Sequence, residues 1–147
     1  ISPRSLPECR RAFDWLIELD ALPEELVEAR VRLALEANNP RFARQIAVRL
    51  PQARAQPFLQ WAALLERPQE NIDALIARPE RSVLPEALLA GWKKLARSNR
   101  DAAIARYPRL VSARKLSERE ASPYALHLAL PLSWDRRAEA LEYFARV

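Results

Sequence analysis

Residues 23–51 read PEELVEARVRLALEANNPRFARQIAVRLP. In this stretch Leu26, Val27, Ala29, Leu33, Ala34 and Ala37 recur at the three- and four-residue spacing of one helical face. Pro23 stands at a first helical position with Glu24 and Glu25 behind it, where carboxylates favour the positive end of the helix dipole. The helix is predicted to run to Asn38-Asn39-Pro40, where three residues share one boundary. Asn38 takes the left-handed conformation past the helix end, Asn39 caps the next helix, and Pro40 fits its first turn. From Pro40 to Leu50, residues Phe42, Ala43, Ile46, Ala47 and Leu50 share one side while Arg41, Arg44 and Arg49 lie elsewhere, so a second, short amphipathic helix is predicted. So short a connection forces the two helices to run antiparallel, and the stretch reads as a helical hairpin.

The same grammar extends in both directions. Upstream, Phe13, Leu16 and Ile17 form an apolar stripe that predicts a helix from about Pro7 to Asp20. Downstream, Pro51 and Pro57 precede a segment carrying Phe58, Trp61, Ala62, Leu64 and Leu65 up to Arg67-Pro68. A shorter one holds Ile72, Leu75 and Ile76 before Arg78-Pro79, and a longer one spans Pro85 to Ser98 with the sole glycine, Gly91, which marks a close approach by a neighbouring helix. Asn99 caps a segment predicted to stop at Pro108. Ser117-Glu118-Arg119-Glu120 matches a capping box, and Pro123 then either bends that helix or is preceded by a new cap at Ser122. A last helix is predicted from about Ser133 or Asp135, through Ala138, Leu141, Tyr143 and Phe144, still helical in pattern at Val147. The expectation is an all-α chain of about nine helices joined by connections of about two to six residues. The architecture expected is an α-superhelix, or solenoid, of stacked antiparallel helical hairpins forming a single domain over residues 1–147. The prolines recur at no fixed spacing and the tetratricopeptide consensus is missing, so any repeats are degenerate.

Composition excludes several function classes. The chain has 147 residues, of which 50% are hydrophobic and 29% charged, both globular values, so disorder is not expected. Gly 1 argues against hairpin turns, phosphate loops and dinucleotide sites, all of which need positive φ. With Met 0 and a start at Ile1, the chain is expected to be an internal piece or a processed product, and the pattern at Val147 to be a truncated array. No run approaches the roughly 20 apolar residues of a membrane span. The formal charge of +5, with a pI near 10.0, invites nucleic acid, but the basic residues are nearly all Arg and are interleaved with acids, as in Glu28, Arg30, Arg32 and Glu36. That is the pattern of a solvated helix face.

His127 is the only histidine, and among Leu126, Leu128 and Leu130 it reads as a partly packed helix residue. The only cysteine, Cys9, is either a buried small hydrophobe or half of a disulfide to a partner outside the sequence. Carboxylates Glu24, Glu25, Asp101 and Glu118 sit where helix N-termini want them, and no acid is marked for catalysis. Trp15, Trp61, Trp92 and Trp134 read as core in preference to a sugar-stacking set. No catalytic, cofactor-binding or metal-binding residue is assigned.

The run Arg30-Val31-Arg32-Leu33-Ala34-Leu35, then Asn39, Ala47 and Leu50-Pro51, resembles the helical superhelix of soluble lytic murein transglycosylases. Cys9 with Phe13 and Trp15, and Ala96-Arg97 with Asp101 and Ala105, are similar to further positions of that family, with Asn38 standing where its turn usually has Gly. The resemblance implies a U-shaped, non-catalytic domain of a bacterial, periplasmic enzyme that cleaves peptidoglycan strands of the cell wall to anhydromuramic products. The catalytic acid would lie in a C-terminal lysozyme-like domain, the expected partner of this chain, together with peptidoglycan or cell-wall enzymes. Glu-Ser, Gly-Leu-Met-Gln and Ala-Tyr-Asn-Ala-Gly signatures occur nowhere in the sequence. The family pairs the cysteine matching Cys9 with one on a preceding helix pair. Arg30 and Arg32 then admit two roles, as contacts to anionic glycan-peptide groups or as donors of hydrogen bonds between helices. The competing functions are a tetratricopeptide-like adaptor for other proteins and a basic helical nucleic-acid binder.

Overall fold

A computed structural model describes residues 23–147, so the helix expected over Pro7–Asp20, with Cys9 and Trp15, lies outside the described residues. Every helix or strand element among them is an α-helix: α1 (Glu24–Glu36), α2 (Pro40–Ala47), α3 (Gln52–Glu66), α4 (Pro68–Ala77), α5 (Pro85–Ser98), α6 (Arg100–Ala113), α7 (Glu118–Trp134) and α8 (Ala140–Phe144). The chain divides into two compact units, one ending at Glu66 and one running from Arg67 to Val147.

In the first unit, α1, α2 and α3 pack pairwise. Pro23 is the residue before α1, one position earlier than expected, and Glu24 and Glu25 fill the first turn. The far end is built as the sequence suggests. Asn38 is left-handed, with φ 54°. Its N–H donates to the Leu35 carbonyl at 2.9 Å and that of Asn39 to Ala34 at 2.8 Å, the paired bonds of a Schellman stop. Asn39 Oδ1 then accepts the Phe42 N–H at 3.2 Å, and Pro40 opens α2. Helix α2 ends at Ala47, short of the expected Leu50, because Arg49 and Leu50 tighten into bonds to Ile46 and Ala47. Helix α3 begins at Gln52 and carries Pro57 inside it, so Pro57 is no start signal. The bond it removes would have ended on the carbonyl of Ala53, which is exposed and open to water.

In the second unit α4, α5 and α6 pack on one another, α7 packs on α5 and α6, and α8 on α7. Asn99 ends α5 and caps α6, its Oδ1 accepting the Ala102 N–H at 3.1 Å. Helix α6 continues through Pro108, which is exposed, and buries Leu110 beyond it. The capping box forms as read: Ser117 and Glu120 each bond the other's backbone N–H. Ser122 starts no new helix, and α7 runs unbroken across Pro123 and Pro131, burying Tyr124, Leu128 and Leu132. Helices α6 and α7 stop on the same device as α1. Lys115, φ 50°, and Arg136, φ 55°, take the left-handed position, and Leu116 and Arg137 donate back to Val111 and Leu132, each at 3.0 Å. The final helix is far shorter than expected, because Trp134 closes α7 and only Ala140–Phe144 are helical after it.

The centre of this unit is Trp92, fully buried, beside the buried Gly91. Its ring lies 6.1 Å from that of Tyr107 and 6.0 Å from that of Tyr124. The indole N–H donates to the Tyr124 carbonyl at 2.9 Å, so the largest core side chain is also satisfied. That carbonyl lies one helical turn before Leu128, where α7 carries no proline. The bond therefore fixes the register of α5 on α7.

Candidate functional site

The second unit carries a groove of about 800 Å³. One wall is the later half of α6, with Tyr107, Val111 and Ser112. The Schellman stop at Lys115 brings Leu116 back towards Val111, and the first turns of α7 add Glu118, Arg119 and Ser122. Arg146 and Val147 close the other side. Tyr107 is held between Trp92 and the Tyr143 ring, 5.4 Å away and edge-on, while the Arg146 guanidinium lies 5.9 Å over it. Burial pushes the Tyr107 hydroxyl above its ordinary pKa, partly offset by Arg146, and burial drives Tyr124 up to about 12. Both phenols are therefore neutral hydrogen-bonding groups at physiological pH.

The lining supplies apolar surface, hydroxyls, two guanidiniums and a single carboxylate, Glu118. Acid–base cleavage of a glycan needs a carboxyl in an apolar cleft, and Glu118 is exposed in the first turn of α7. The arrangement suits binding and positioning. Among the described residues no group of three or more His, Cys, Asp or Glu side chains is placed to hold a metal ion. No helix of these residues is long and apolar enough to cross a membrane.

Arg30 and Arg32 lie in the first unit, both against aromatic rings. Arg30 is only 8% exposed, with its guanidinium 5.4 Å over Phe42 of α2. Arg32 lies 5.7 Å from Phe58 and 5.9 Å from Trp61, both on α3. Each reaches from α1 to an aromatic ring of a neighbouring helix. His127 is half-buried on α7, and burial, then the charges of Lys93 and Arg97, hold its imidazole below the ordinary value. Trp61 and Trp92 are core, as read, but Trp134 is 68% exposed at the end of α7, which corrects its assignment to the core. Glu24 and Asp101 do more than favour a dipole: Glu24 pairs with Arg54, and Asp101 with Arg137 at 2.6 Å. Sequence reasoning missed the groove, because its walls come from residues 107 to 147 with no shared motif.

No family model matches this chain, and neither the curated proteins nor the solved structures provide a match.

Proposed function

We propose that this chain is a non-catalytic helical scaffold of a periplasmic soluble lytic transglycosylase, its hairpins stacked into a superhelix that restricts which peptidoglycan strands reach a separate catalytic domain. The observation that carries this reading is the Arg30–Pro51 resemblance, whose elements occur as helix, left-handed Asn38, Asn39 cap and a short helix that ends at Ala47, ahead of Leu50-Pro51. The stacking is supported by spacing. Helices α3, α5 and α7 begin at Gln52, Pro85 and Glu118, in equal steps along the chain. In the second unit, side-chain links join residues 32 to 36 apart, as from Trp92 to Tyr124 and from Arg137 to Asp101, close to the period of about 34 residues of two-helix repeats. The chain uses no nucleic acid in this reading: Arg44, Arg54, Arg106 and Arg137 already face carboxylates.

The test incubates the purified chain with peptidoglycan and assays soluble anhydro-muropeptides, alongside small-angle scattering. The expected result is no release and a scattering curve of an elongated, bent particle. Release by this chain alone, or a compact spherical particle, overturns the proposal. The alternative adaptor reading draws on one observation, the exposure of Trp134, Leu141 and Val147 near the end of the second unit.

A further inference from the structure

We propose that the groove of the second unit is a docking site for an acidic peptide, which lays an aliphatic side chain on the groove floor and holds its carboxylates against Arg119 and Arg146. The floor is the first part of the match. Val111 on α6, Leu116 in the reversed connection and Ala121 on α7 line one cavity of about 800 Å³, within the usual range of ligand sites. The lining has one aromatic ring, Tyr107, and it is only 5% exposed. Trp92 and Tyr143 pack against that ring, and the Arg146 guanidinium lies over it. Tyr107 therefore offers no open face on which a nucleobase or a sugar could stack, and the floor selects an aliphatic group.

Charge is the second part. Arg119 and Arg146 both line the groove and both are exposed. No ion pair among the described residues engages either of them. The other cations of the unit differ: Arg106 is bidentate on Asp73, Arg100 faces Asp135, and Arg137 faces Asp101 and Glu139. Two guanidiniums against a single lining carboxylate, Glu118, leave the rim net positive, and a guanidinium fork matches the geometry of a carboxylate. The hydroxyls of Ser112 and Ser122 add donors and acceptors for a peptide backbone. Pro108 and Ala145 on the rim are exposed, so a chain can lie along the groove without being enclosed. In an extended chain the neighbours of an inward side chain point the other way, so a leucine set on the floor carries flanking glutamates out to the rim. The scaffold role proposed above does not depend on this site.

The test is an NMR titration of the full chain with the peptide Gly-Glu-Leu-Glu-Gly, blocked at both ends so that only the glutamates carry charge. The expected result is saturable shifts of the Val111, Leu116 and Ala121 amides, with an affinity that falls as salt is added. Replacing both glutamates by Lys should abolish binding, and replacing the leucine by Ser should weaken it several-fold. Arg119 is exposed and makes no side-chain bond among the described residues, so Arg119→Gln leaves the fold intact and should weaken binding several-fold. Glu118→Gln should tighten it. Arg41→Gln lowers the net charge equally but removes an exposed residue of the first unit, and should leave the affinity unchanged. No saturable shift at the three amides overturns the proposal. So does equal affinity for the glutamate and lysine peptides, or equal weakening by Arg41→Gln and Arg119→Gln, which would mark attraction to net charge alone. A glycan oligomer without peptide should not compete, and displacement of the peptide by it overturns the proposal equally.

Discussion

Residues 23–66 join their helices with ion pairs at the rim, Arg54 on Glu28 and Glu24 and Arg44 on Glu66, and with guanidiniums laid over Phe42 and over the buried Phe58 and Trp61. Residues 67–147 join theirs at the centre, where Trp92 bonds Tyr124 and packs against Tyr107, with Arg106 on Asp73 as a half-buried support. Both units satisfy one demand, the burial of an amphipathic stripe, but with links of different strength. A partly exposed ion pair is screened by water and salt, whereas a buried indole that keeps its hydrogen bond gains from dispersion and from polar satisfaction together. The two tryptophans make the contrast sharpest, since the buried indole N–H of Trp61 has no hydrogen-bond acceptor among the described residues.

The largest expected effect is at the centre of the second unit. Trp92→Ala should cost about 3–5 kcal/mol in urea unfolding. Trp92→Phe, which keeps most of the area but gives up the indole bond to the Tyr124 carbonyl, should cost about 0.5–1.5 kcal/mol more than Trp61→Phe. Equal costs for the two Phe variants would erase the distinction between the units. Next in size is the start of α7, where Ser117→Ala should lose about 1 kcal/mol. Bonds from Ser117 hold the Glu120 carboxyl below the ordinary range. Its contribution is therefore present above the unfolded-state value and lost as pH falls through the lowered one, and the wild-type melting temperature should approach that of Ser117→Ala in acid. Smaller, and opposite in sign, is Lys115→Gly, which should gain about 0.5–1 kcal/mol by relieving a left-handed Cβ, with Asn38→Gly gaining less because asparagine tolerates that region. The smallest effect belongs to the rim: Arg54→Ala should lower the melting temperature at low salt, and the gap from wild type should close near 1 M salt, where the Debye length is about 3 Å.

What could be read from the sequence was local. Asn38, Asn39 and Pro40 are legible because each acts on a backbone group within five residues, and the Ser117 and Glu120 box is legible for the same reason. Pro57 reads as the start of a segment, Pro108 as a stop, and Pro123 as a bend or the mark of a new cap, because a proline removes one bond and clashes with the preceding turn. The helices run on because Phe58 and Trp61, Leu110, and Tyr124 and Leu128 bury enough surface just beyond each proline to outweigh that local cost. At the other extreme, Leu141 and Phe144 carry helical spacing but stay exposed, and α8, anchored by Ala140 and Tyr143, sustains only five residues. The groove was out of reach altogether. Tyr107 and Arg146 meet only through tertiary packing, and no spacing rule joins them.

The stops at Lys115 and Arg136 reach beyond the folded molecule. A glycine in either place would relax the turn but would also hand the denatured chain extra freedom that folding must then remove. By reversing direction on lysine and arginine, residues 67–147 hold part of their cohesion in a stiffer unfolded ensemble, where no contact in the native state records it.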